Sequence, residues 1–257
     1  AASDVYKRQD MLHNFIYRSS KTSMFTKTRV VITVPSGVTE VERRAVEDAA
    51  RAAGAQEVEL IEEPMAAALG AGLPVFEAAG SMVVDIGGGT CDVAVMSLGG
   101  IAARKSVKIA GNALNEAIIN HMKRAHNLLI GDVTAEDIKI KIGSVSEYDG
   151  EGAMEVRGRN LTDGLPNKIE ITSEEIRNVL TEPVGEIVEA IRETLEVTLP
   201  ELAADIIDRG IYITGGTALL RGLPELISKE TKIAVHIPEN PMDVVAIGTS
   251  AKLRRAR

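Results

Sequence analysis

The segment that most constrains the fold of this chain is residues 81–98, SMVVDIGGGTCDVAVMSL, which has the pattern strand, glycine turn, strand. Both arms are short, apolar and rich in β-branched residues, and Gly87, Gly88 and Gly89 separate them. Short apolar runs closed by a glycine turn predict a buried β-hairpin. Glycines carry no Cβ, so the backbone N–H groups of such a turn can close on an anion.

Two side chains at this turn add metal-binding chemistry to the glycines. Asp85 ends the first arm, and Thr90 places a hydroxyl at the mouth of the turn. Hydrated Mg²⁺ takes one or two carboxylates together with phosphate oxygens. The hairpin therefore predicts a site for phosphate and Mg²⁺. The alternative is a tight hairpin that needs glycine for its geometry alone.

Other phosphate-binding motifs are missing from the sequence. No GxxxxGK[ST] segment occurs, and no GxGxxG segment opens a helix, because a strand follows these glycines. The net charge of −8 argues against general nucleic-acid binding, and the single cysteine, Cys91, excludes an intramolecular disulfide. The composition, 45% apolar and 26% charged, is typical of a globular protein.

The remainder of the chain alternates strands with helices, which predicts an α/β architecture. The patterns predict further strands at 29–35, 57–61, 103–109, 210–214 and 233–237. They predict helices at 39–53, 64–70, 112–129, 134–142 (capped by Thr134), 173–197 (capped by Ser173 and kinked or divided at Pro183 and Gly185), 200–208, 217–226 and 241–255. Residues 143–172 are rich in Gly, Asp and short alternating runs, and predict a small β-rich insertion.

A second glycine motif lies at residues 210–227, GIYITGGTALLRGLPELI. It predicts a strand, a Gly215-Gly216 turn and a helix that begins near Thr217. The glycines allow a flat ligand to approach the backbone, and a helix N-terminus favours negative charge. Alone the motif is weak, but together with DIGGGT it predicts one site for phosphates and one for a nucleoside.

These two motifs, together with LIEEPMAAALGAGLPV at 60–75, closely resemble the MreB family of bacterial actin-like proteins that control rod shape. VPSGVTEVERRAVEDAA and EVRGRNLTDGLP extend the resemblance, which covers residues from Met11 to about Leu253. It implies an actin-like ATPase fold of the ribonuclease H-like type. DnaK-type chaperones, FtsA and sugar kinases share the motifs more loosely, and the surrounding sequence favours MreB.

Carried over position by position, the resemblance implies catalytic roles for two residues and a metal role for a third. Glu63 would polarise the attacking water, Thr90 would help to place that water, and Asp85 would organise Mg²⁺ through water. The implied nucleotide-binding residues are Asp85, Gly87, Gly88, Gly89, Thr90, Gly111, Glu136, Lys139, Gly215, Gly216 and Thr217. The alternatives are that Glu136 and Lys139 form a solvated i,i+3 pair and that Glu63 is an acid at a helix start.

Departures from the family pattern modify this expectation. The family's first phosphate hairpin, G-[ID]-D-L-G-T, does not occur here, so we expect an incomplete fold and weak or absent ATP binding by this chain alone. Ala110-Gly111-Asn112 stands where the family has Gly-Gly-Asp. The predicted division is a non-native leader at 1–10, a first actin-like half at 11–105 with 240–257, a second half at 106–142 and 173–239, and the insertion at 143–172.

The implied function is an ATP-dependent cytoskeletal filament protein with slow hydrolysis, located in the cytoplasm at the inner face of the cell membrane. The implied partners are other copies of the chain, the inner membrane surface, and membrane proteins of cell shape and cell-wall synthesis, with no nucleic acid. Met24 and Phe25, an apolar pair in a basic stretch, would contact the membrane. The alternatives are a chaperone-type or sugar-kinase-type ATPase and a scaffold that does not hydrolyse nucleotide.

Overall fold

A computed structural model describes residues 11, 14–16 and 28–255. The predicted leader at 1–10 and the predicted membrane-contacting residues Met24 and Phe25 lie outside these residues. The strands are β1 Arg29–Val34, β2 Glu57–Glu62, β3 Ser81–Ile86, β4 Cys91–Ser97, β5 Gly100–Val107, β6 Leu128–Leu129, β7 Ala153–Asn160, β8 Pro166–Thr172, β9 Ile211–Thr214 and β10 Val235–His236. The α-helices are α1 Glu40–Ala52, α2 Glu63–Gly70, α3 Gly111–His126, α4 Asp132–Ile142, α5 Ser173–Glu196, α6 Pro200–Arg209, α7 Leu223–Thr231 and α8 Val244–Arg255.

The strands form three sheets, and the largest contains the predicted hairpin. Its strand order is β10-β9-β3-β4-β5, with β3 and β4 antiparallel and β9 parallel to β3. Every residue of β3 except Asp85 is buried, as are the first six residues of β4, which explains the continuous apolar character of both arms. β1 and β2 form a parallel pair, and β6, β7 and β8 form an antiparallel sheet. The hairpin, the α/β architecture and the small β-rich insertion are therefore confirmed.

The five-stranded sheet contains strands from both sides of the domain boundary predicted at residue 105. That boundary assigns β3, β4 and β5 to the first half and β9 and β10 to the second half, yet β3 and β9 are hydrogen-bonded neighbours in one sheet. The order of segments along the chain does not reveal such a crossover, because strand pairing depends on which faces become buried together. The division into two halves remains a prediction, and this pairing joins strands from both sides of its boundary.

Several predicted helix ends differ from the structure. α4 begins at Asp132 after Gly131, so Thr134 is not its N-cap. Thr172, not Ser173, caps α5 and accepts a hydrogen bond from the Glu175 N–H. α5 also continues through Pro183 as one helix, since a continuous buried face holds both sides of the proline against the core. Helix ends depend on a few weak hydrogen bonds, so packing readily shifts them by one or two residues.

The second glycine motif also differs from its prediction. Thr217 lies in a 3₁₀ turn, Gly216–Leu219, and the α-helix that follows starts only at Leu223. The prediction of a single α-helix from Thr217 was therefore wrong.

The N-terminus of α1 is as predicted, because Thr39 and Glu42 form a reciprocal capping box.

The position of Glu63 depends on a close contact between two helices. Glu63 is the first residue of α2, and α2 packs against α8 at Gly70 and Gly248. A Cβ at Gly248 would lie 1.8 Å from the Ala66 carbonyl oxygen, and one at Gly70 would lie 1.9 Å from the Val244 carbonyl oxygen. Only glycine permits this backbone approach. The two glycines thus set where α2 can lie, and with it Glu63.

Among the residues described by the structure, no helix has both the length and the apolar character that a membrane crossing requires.

Candidate functional site

The glycine turn of the hairpin is tied to two other segments by hydrogen bonds. The Gly87 carbonyl accepts bonds from the Gly111 N–H at 3.1 Å and from Thr217 Oγ1 at 3.0 Å. The Asn112 N–H donates to the Gly88 carbonyl at 2.8 Å. The turn therefore meets the N-terminus of α3 and the 3₁₀ turn after β9, which brings the two glycine motifs together although more than a hundred residues separate them in the sequence.

A cavity of about 490 Å³ opens where these segments meet. Its size lies in the range typical of small-molecule sites, about 300–1,000 Å³. Seven of the predicted site residues line it: Gly87, Gly88, Gly111, Glu136, Lys139, Gly216 and Thr217. Its other lining residues are Asn112, Ile140, Gly143, Leu219, Leu220, Arg221 and Met242. The cavity thus combines glycine backbone, cationic groups and an apolar wall.

Glu136 and Lys139 form part of this cavity wall and not a solvated surface pair. Lys139 is 8% exposed, and its Nζ donates to Glu136 Oε2 at 2.8 Å and to the Gly111 carbonyl at 3.1 Å. Asn115 Nδ2 also donates to Glu136 Oε2, at 2.7 Å. Burial opposes ionisation of Glu136, but the bonds from Lys139 and Asn115 outweigh it and lower its pKa. The carboxylate is therefore held ionised and fixed in orientation.

Glu63, Asp85 and Asp92 form an acidic group beside the glycine turn. Asp85 and Asp92 are directly opposite each other in the hairpin, and Thr214 Oγ1 donates to Asp85 Oδ1 at 2.9 Å. Burial raises the pKa of Glu63, and the charges of Asp92 and then Asp85 raise it further. Burial also raises the pKa of Asp85, opposed by the Thr214 bond and assisted by Asp92. The negative charges therefore lie close enough to repel one another.

Asp92 belongs to this acidic group but is absent from the predicted site residues. It is 2% exposed, and its Oδ1 has no hydrogen-bond partner in the part of the chain that the structure describes. The turn length could have identified it, because a loop of residues 87–90 places Asp85 opposite Asp92. A buried carboxylate oxygen without a donor is costly, and a cation or an ordered water would satisfy it.

The remaining predicted residues lie at the turn but do not line the cavity. Gly89 is exposed and Thr90 is half-buried, and the Thr90 carbonyl accepts a bond from the Gly87 N–H at 3.0 Å. Within residues 28–255, the N–H groups of Gly88 and Gly89 donate to no other residue, so both are available to an anion. Gly215 has a φ of 85°, and its backbone lies against the Ile86 carbonyl at the end of β3.

Arg221 is a cavity residue that the sequence analysis did not identify. Its guanidinium donates to the carbonyls of Ile140 at 2.9 Å and Gly143 at 3.2 Å, and it lies 5.3 Å from the centre of the Tyr148 ring. These contacts tie the end of α4 to the segment after the 3₁₀ turn. No local pattern marks this arginine, since its partners lie about 80 residues earlier in the chain.

Replacement of Gly215 by alanine should disturb this site, whereas the same replacement at the neighbouring Gly216 should not. An added Cβ would lie 2.3 Å from the Ile86 carbonyl oxygen and 2.9 Å from Asp85 Oδ1, and φ would remain positive. We expect a loss of roughly 1–3 kcal/mol in the free energy of unfolding, measured by urea denaturation. Gly216→Ala is the matched control, because nothing lies within 4 Å of its added Cβ. Equal losses in the two variants would contradict the close contact at Gly215.

A larger cavity, of about 580 Å³, lies between β2, α2 and β5 and contains none of the predicted site residues. Its charged groups pair with one another or with neighbouring acids: Arg43 and Arg104 both bond to Glu62, and Lys252 bonds to Glu59. Since the smaller cavity contains seven of the predicted site residues and the larger one none, we assign the functional site to the smaller cavity.

Comparison with known proteins agrees with this fold. The family model described as MreB/Mbl protein matches residues 1–257. The cell shape-determining protein MreB of Escherichia coli K12 is 51% identical over 247 residues, which are 96% of this chain and 71% of that protein. The cell shape-determining protein Mbl of Bacillus subtilis 168 is 47% identical over 251 residues, 98% of this chain and 75% of that protein.

Solved structures show the same architecture. MreB5 of Spiroplasma citri, bound to ADP, superposes with a TM-score of 0.92 at 38% identity, over 98% of this chain and 76% of that one. The MamK double helical filament superposes with a TM-score of 0.82 at 19% identity, over 99% of this chain and 77% of that one, which shows the shared fold. The chain has the actin-like fold and belongs to the MreB/Mbl family of cell shape-determining proteins.

Proposed function

We propose that the 490 Å³ cavity binds an adenine nucleotide and that nucleotide state controls assembly of the protein into cytoskeletal filaments. The observation that carries this proposal is the convergence of two glycine turns, a helix N-terminus and the Glu136–Lys139 pair on one cavity. A relative with the same fold, MreB5 of Spiroplasma citri, was crystallised with ADP, which supports the choice of ligand.

The two ends of the cavity suit different parts of a nucleotide. Gly88 and Gly89 offer unused N–H groups beside the N-terminus of α3, a combination that favours phosphate. Glu136 and Lys139 form the wall beside Gly111, where the ionised Glu136 carboxylate can accept bonds from ribose hydroxyls. The Gly216 turn leaves room for a flat ring to approach the backbone. The nucleotide would therefore point its phosphates at the hairpin.

The acidic group beside the phosphate end fits Mg²⁺. Asp85 and Asp92 present carboxylates from adjacent strands, and Asp92 Oδ1 lacks a partner in the described residues. Mg²⁺ prefers one or two carboxylates with waters and phosphate oxygens, so this donor set matches it. Asp85 would hold the hydrated ion, which would neutralise charge on the phosphates. Glu63, at the start of α2, would polarise the attacking water, and Thr90 would help to place it.

Nucleotide binding can be tested with two lysines of α4 that differ in burial. Lys139→Met removes a buried cation of the cavity, whereas Lys141→Met removes an exposed one that pairs with Asp137. In a chain that also carries the family's first phosphate hairpin, we expect Lys139→Met to weaken binding of a fluorescent ADP analogue at least about tenfold, or about 1.4 kcal/mol, and Lys141→Met to leave it unchanged. Equal affinities in both variants would refute the assignment of this cavity.

Filament formation is proposed from the family and the fold together. Relatives in the family are named for cell shape, and MamK, which shares the fold, forms a double helical filament. We infer that copies of this chain assemble with one another under the control of ATP, at the cytoplasmic face of the inner membrane. There the filaments would organise cell-wall synthesis together with membrane proteins of cell shape. Sedimentation of the protein with and without ATP tests the assembly.

Membrane contact through Met24 and Phe25 remains a prediction from the sequence. Apolar side chains flanked by cations suit an anionic lipid surface, and filament formation would multiply a weak contact. The double variant Met24→Ser, Phe25→Ser should polymerise normally but lose co-sedimentation with anionic liposomes. Val133→Ser, which removes an exposed apolar residue of α4, is the control. Normal liposome binding by the double variant would exclude this contact.

A further inference from the structure

A cluster of metal-ligating side chains lies outside the nucleotide cavity, between α3 and α5. It consists of His121 and His126 from the C-terminal part of α3 and Glu175 from the first turn of α5. The ligand atoms of the three side chains all lie within 4.8 Å of one another. None of the three residues lines the 490 Å³ cavity, so the proposed nucleotide site does not account for them.

The three side chains are directed at a common point. The Nε2 atom of His121 lies 2.6 Å from Oε1 of Glu175, and the Nε2 atom of His126 lies 2.5 Å from the same oxygen. The imidazole rings are 5.7 Å apart between centroids and inclined by 76°, so they approach edge to face. Two ring nitrogens and one carboxylate oxygen from separate side chains thus lie close enough together for one ion to bind all three after a small shift.

The backbone around the cluster holds this arrangement in place. Met122 and Ile176, the neighbours of His121 and Glu175 in the sequence, are both fully buried in the core. The Thr172 hydroxyl accepts a hydrogen bond from the Glu175 N–H and so fixes the first turn of α5. The three side chains themselves are about one quarter exposed, at 27%, 26% and 26%. An ion could therefore enter from solvent and find ligands already positioned by two packed helices.

We propose that His121, His126 and Glu175 bind a divalent transition-metal ion of the Zn²⁺ class. Imidazole nitrogens favour Zn²⁺, Co²⁺, Ni²⁺ and Cu²⁺, whereas Mg²⁺ and Ca²⁺ prefer oxygen ligands. Three protein ligands leave a fourth tetrahedral position for water. Bonds of about 2.0–2.2 Å separate tetrahedral ligands by about 3.3 Å, so each imidazole nitrogen needs to move away from the Glu175 oxygen by less than about 1 Å. The bound ion would link the end of α3 to the start of α5.

Metal titration of the chelator-treated full chain tests this proposal. We expect one Zn²⁺ per chain with a micromolar Kd by calorimetry, and a visible absorption band of four-coordinate Co²⁺ when Co²⁺ replaces it. Zn²⁺ at about one hundred times its Kd should raise Tm by roughly 5–10 °C. The absence of both Zn²⁺ binding and the Co²⁺ band in the unmodified chain would overturn the proposal and leave hydrogen bonds alone at this cluster.

Variants of the histidines identify the ligands. The chain contains four histidines, so the double variant His13→Asn, His236→Asn removes the other two and serves as the control. His121→Asn and His126→Asn should each weaken Zn²⁺ binding at least about tenfold, while the control keeps the affinity of the unmodified chain. Circular dichroism checks that the variants are folded. Unchanged affinity in folded His121→Asn, or equal weakening in the control, would place the metal elsewhere and refute this site.

Discussion

In a chain that also carries the family's first phosphate hairpin, replacement of Glu63 by glutamine should slow ATP hydrolysis by roughly 10²–10⁴-fold, the usual contribution of a positioned acid or base. Glu63 starts α2 beside the phosphate end of the cavity and would act on the attacking water, not on the nucleotide. The Kd for ATP should therefore change less than about threefold, which corresponds to about 0.65 kcal/mol. Phosphate release under saturating ATP measures the first quantity, and equilibrium binding measures the second.

Glu62→Gln is the matched control for this prediction. Glu62 precedes Glu63 directly, but its carboxylate bonds to Arg43 at 3.1 Å and Arg104 at 3.0 Å, away from the glycine turn. The control should keep most of the turnover. If Glu63→Gln hydrolysed ATP at the normal rate, or lost binding and turnover by the same factor, Glu63 would have a structural role and no catalytic one.

Protonation of Glu63 should set the acid side of the pH dependence of turnover. Burial, followed by the charges of Asp92 and Asp85, raises its pKa above the usual value of 4.5. A general base acts only when it is deprotonated. As the pH is lowered, turnover should therefore begin to fall at a higher pH than it would if the base were a fully solvated glutamate. Glu63→Gln has no carboxyl to titrate, so its residual turnover should lack this fall on the acid side. A fall that persists unchanged in Glu63→Gln would assign the titration to another group.

Replacement of Gly248 by alanine should destabilise the protein by about 3 kcal/mol or more, at the upper end of overpacking effects. The added Cβ would lie 1.8 Å from the Ala66 carbonyl oxygen and 2.7 Å from the Gly70 nitrogen, both in α2. Neither atom belongs to a flexible side chain, so the two helices must separate. Thermal unfolding should show a fall in Tm of roughly 6–12 °C.

Gly185→Ala provides the contrast within α5. Gly185 is exposed in the middle of a helix, and nothing lies within 4 Å of an added Cβ. Because alanine is the better helix former, this variant should gain about 0.5–1 kcal/mol. The same chemical change thus has opposite signs at the two positions. A small effect of Gly248→Ala, similar in size to that of Gly185→Ala, would show that α2 and α8 are not in the close contact described here.

Local features of this protein followed from the sequence because a few adjacent residues encode them. The hairpin at β3 and β4 has two apolar arms and a glycine turn, and the capping box at Thr39 needs only residues 39–42. The same holds for the residue types of the site, since glycine turns and strand-end carboxylates are chemical requirements of phosphate and Mg²⁺. Seven predicted residues accordingly line one cavity.

The tertiary structure decided which of these local features meet, and what surrounds them. The sequence allows Lys139 to be a solvent-exposed partner of Glu136. In the structure Lys139 is buried, because α4 packs against α3 and its Nζ bonds to the Gly111 carbonyl. The pairing of β3 with β9, the isolated oxygen of Asp92 and the contacts of Arg221 likewise have no local signature. Such contacts join segments far apart in the chain, and they form only when whole helix faces and strand edges become buried together, a condition that no short stretch of sequence specifies.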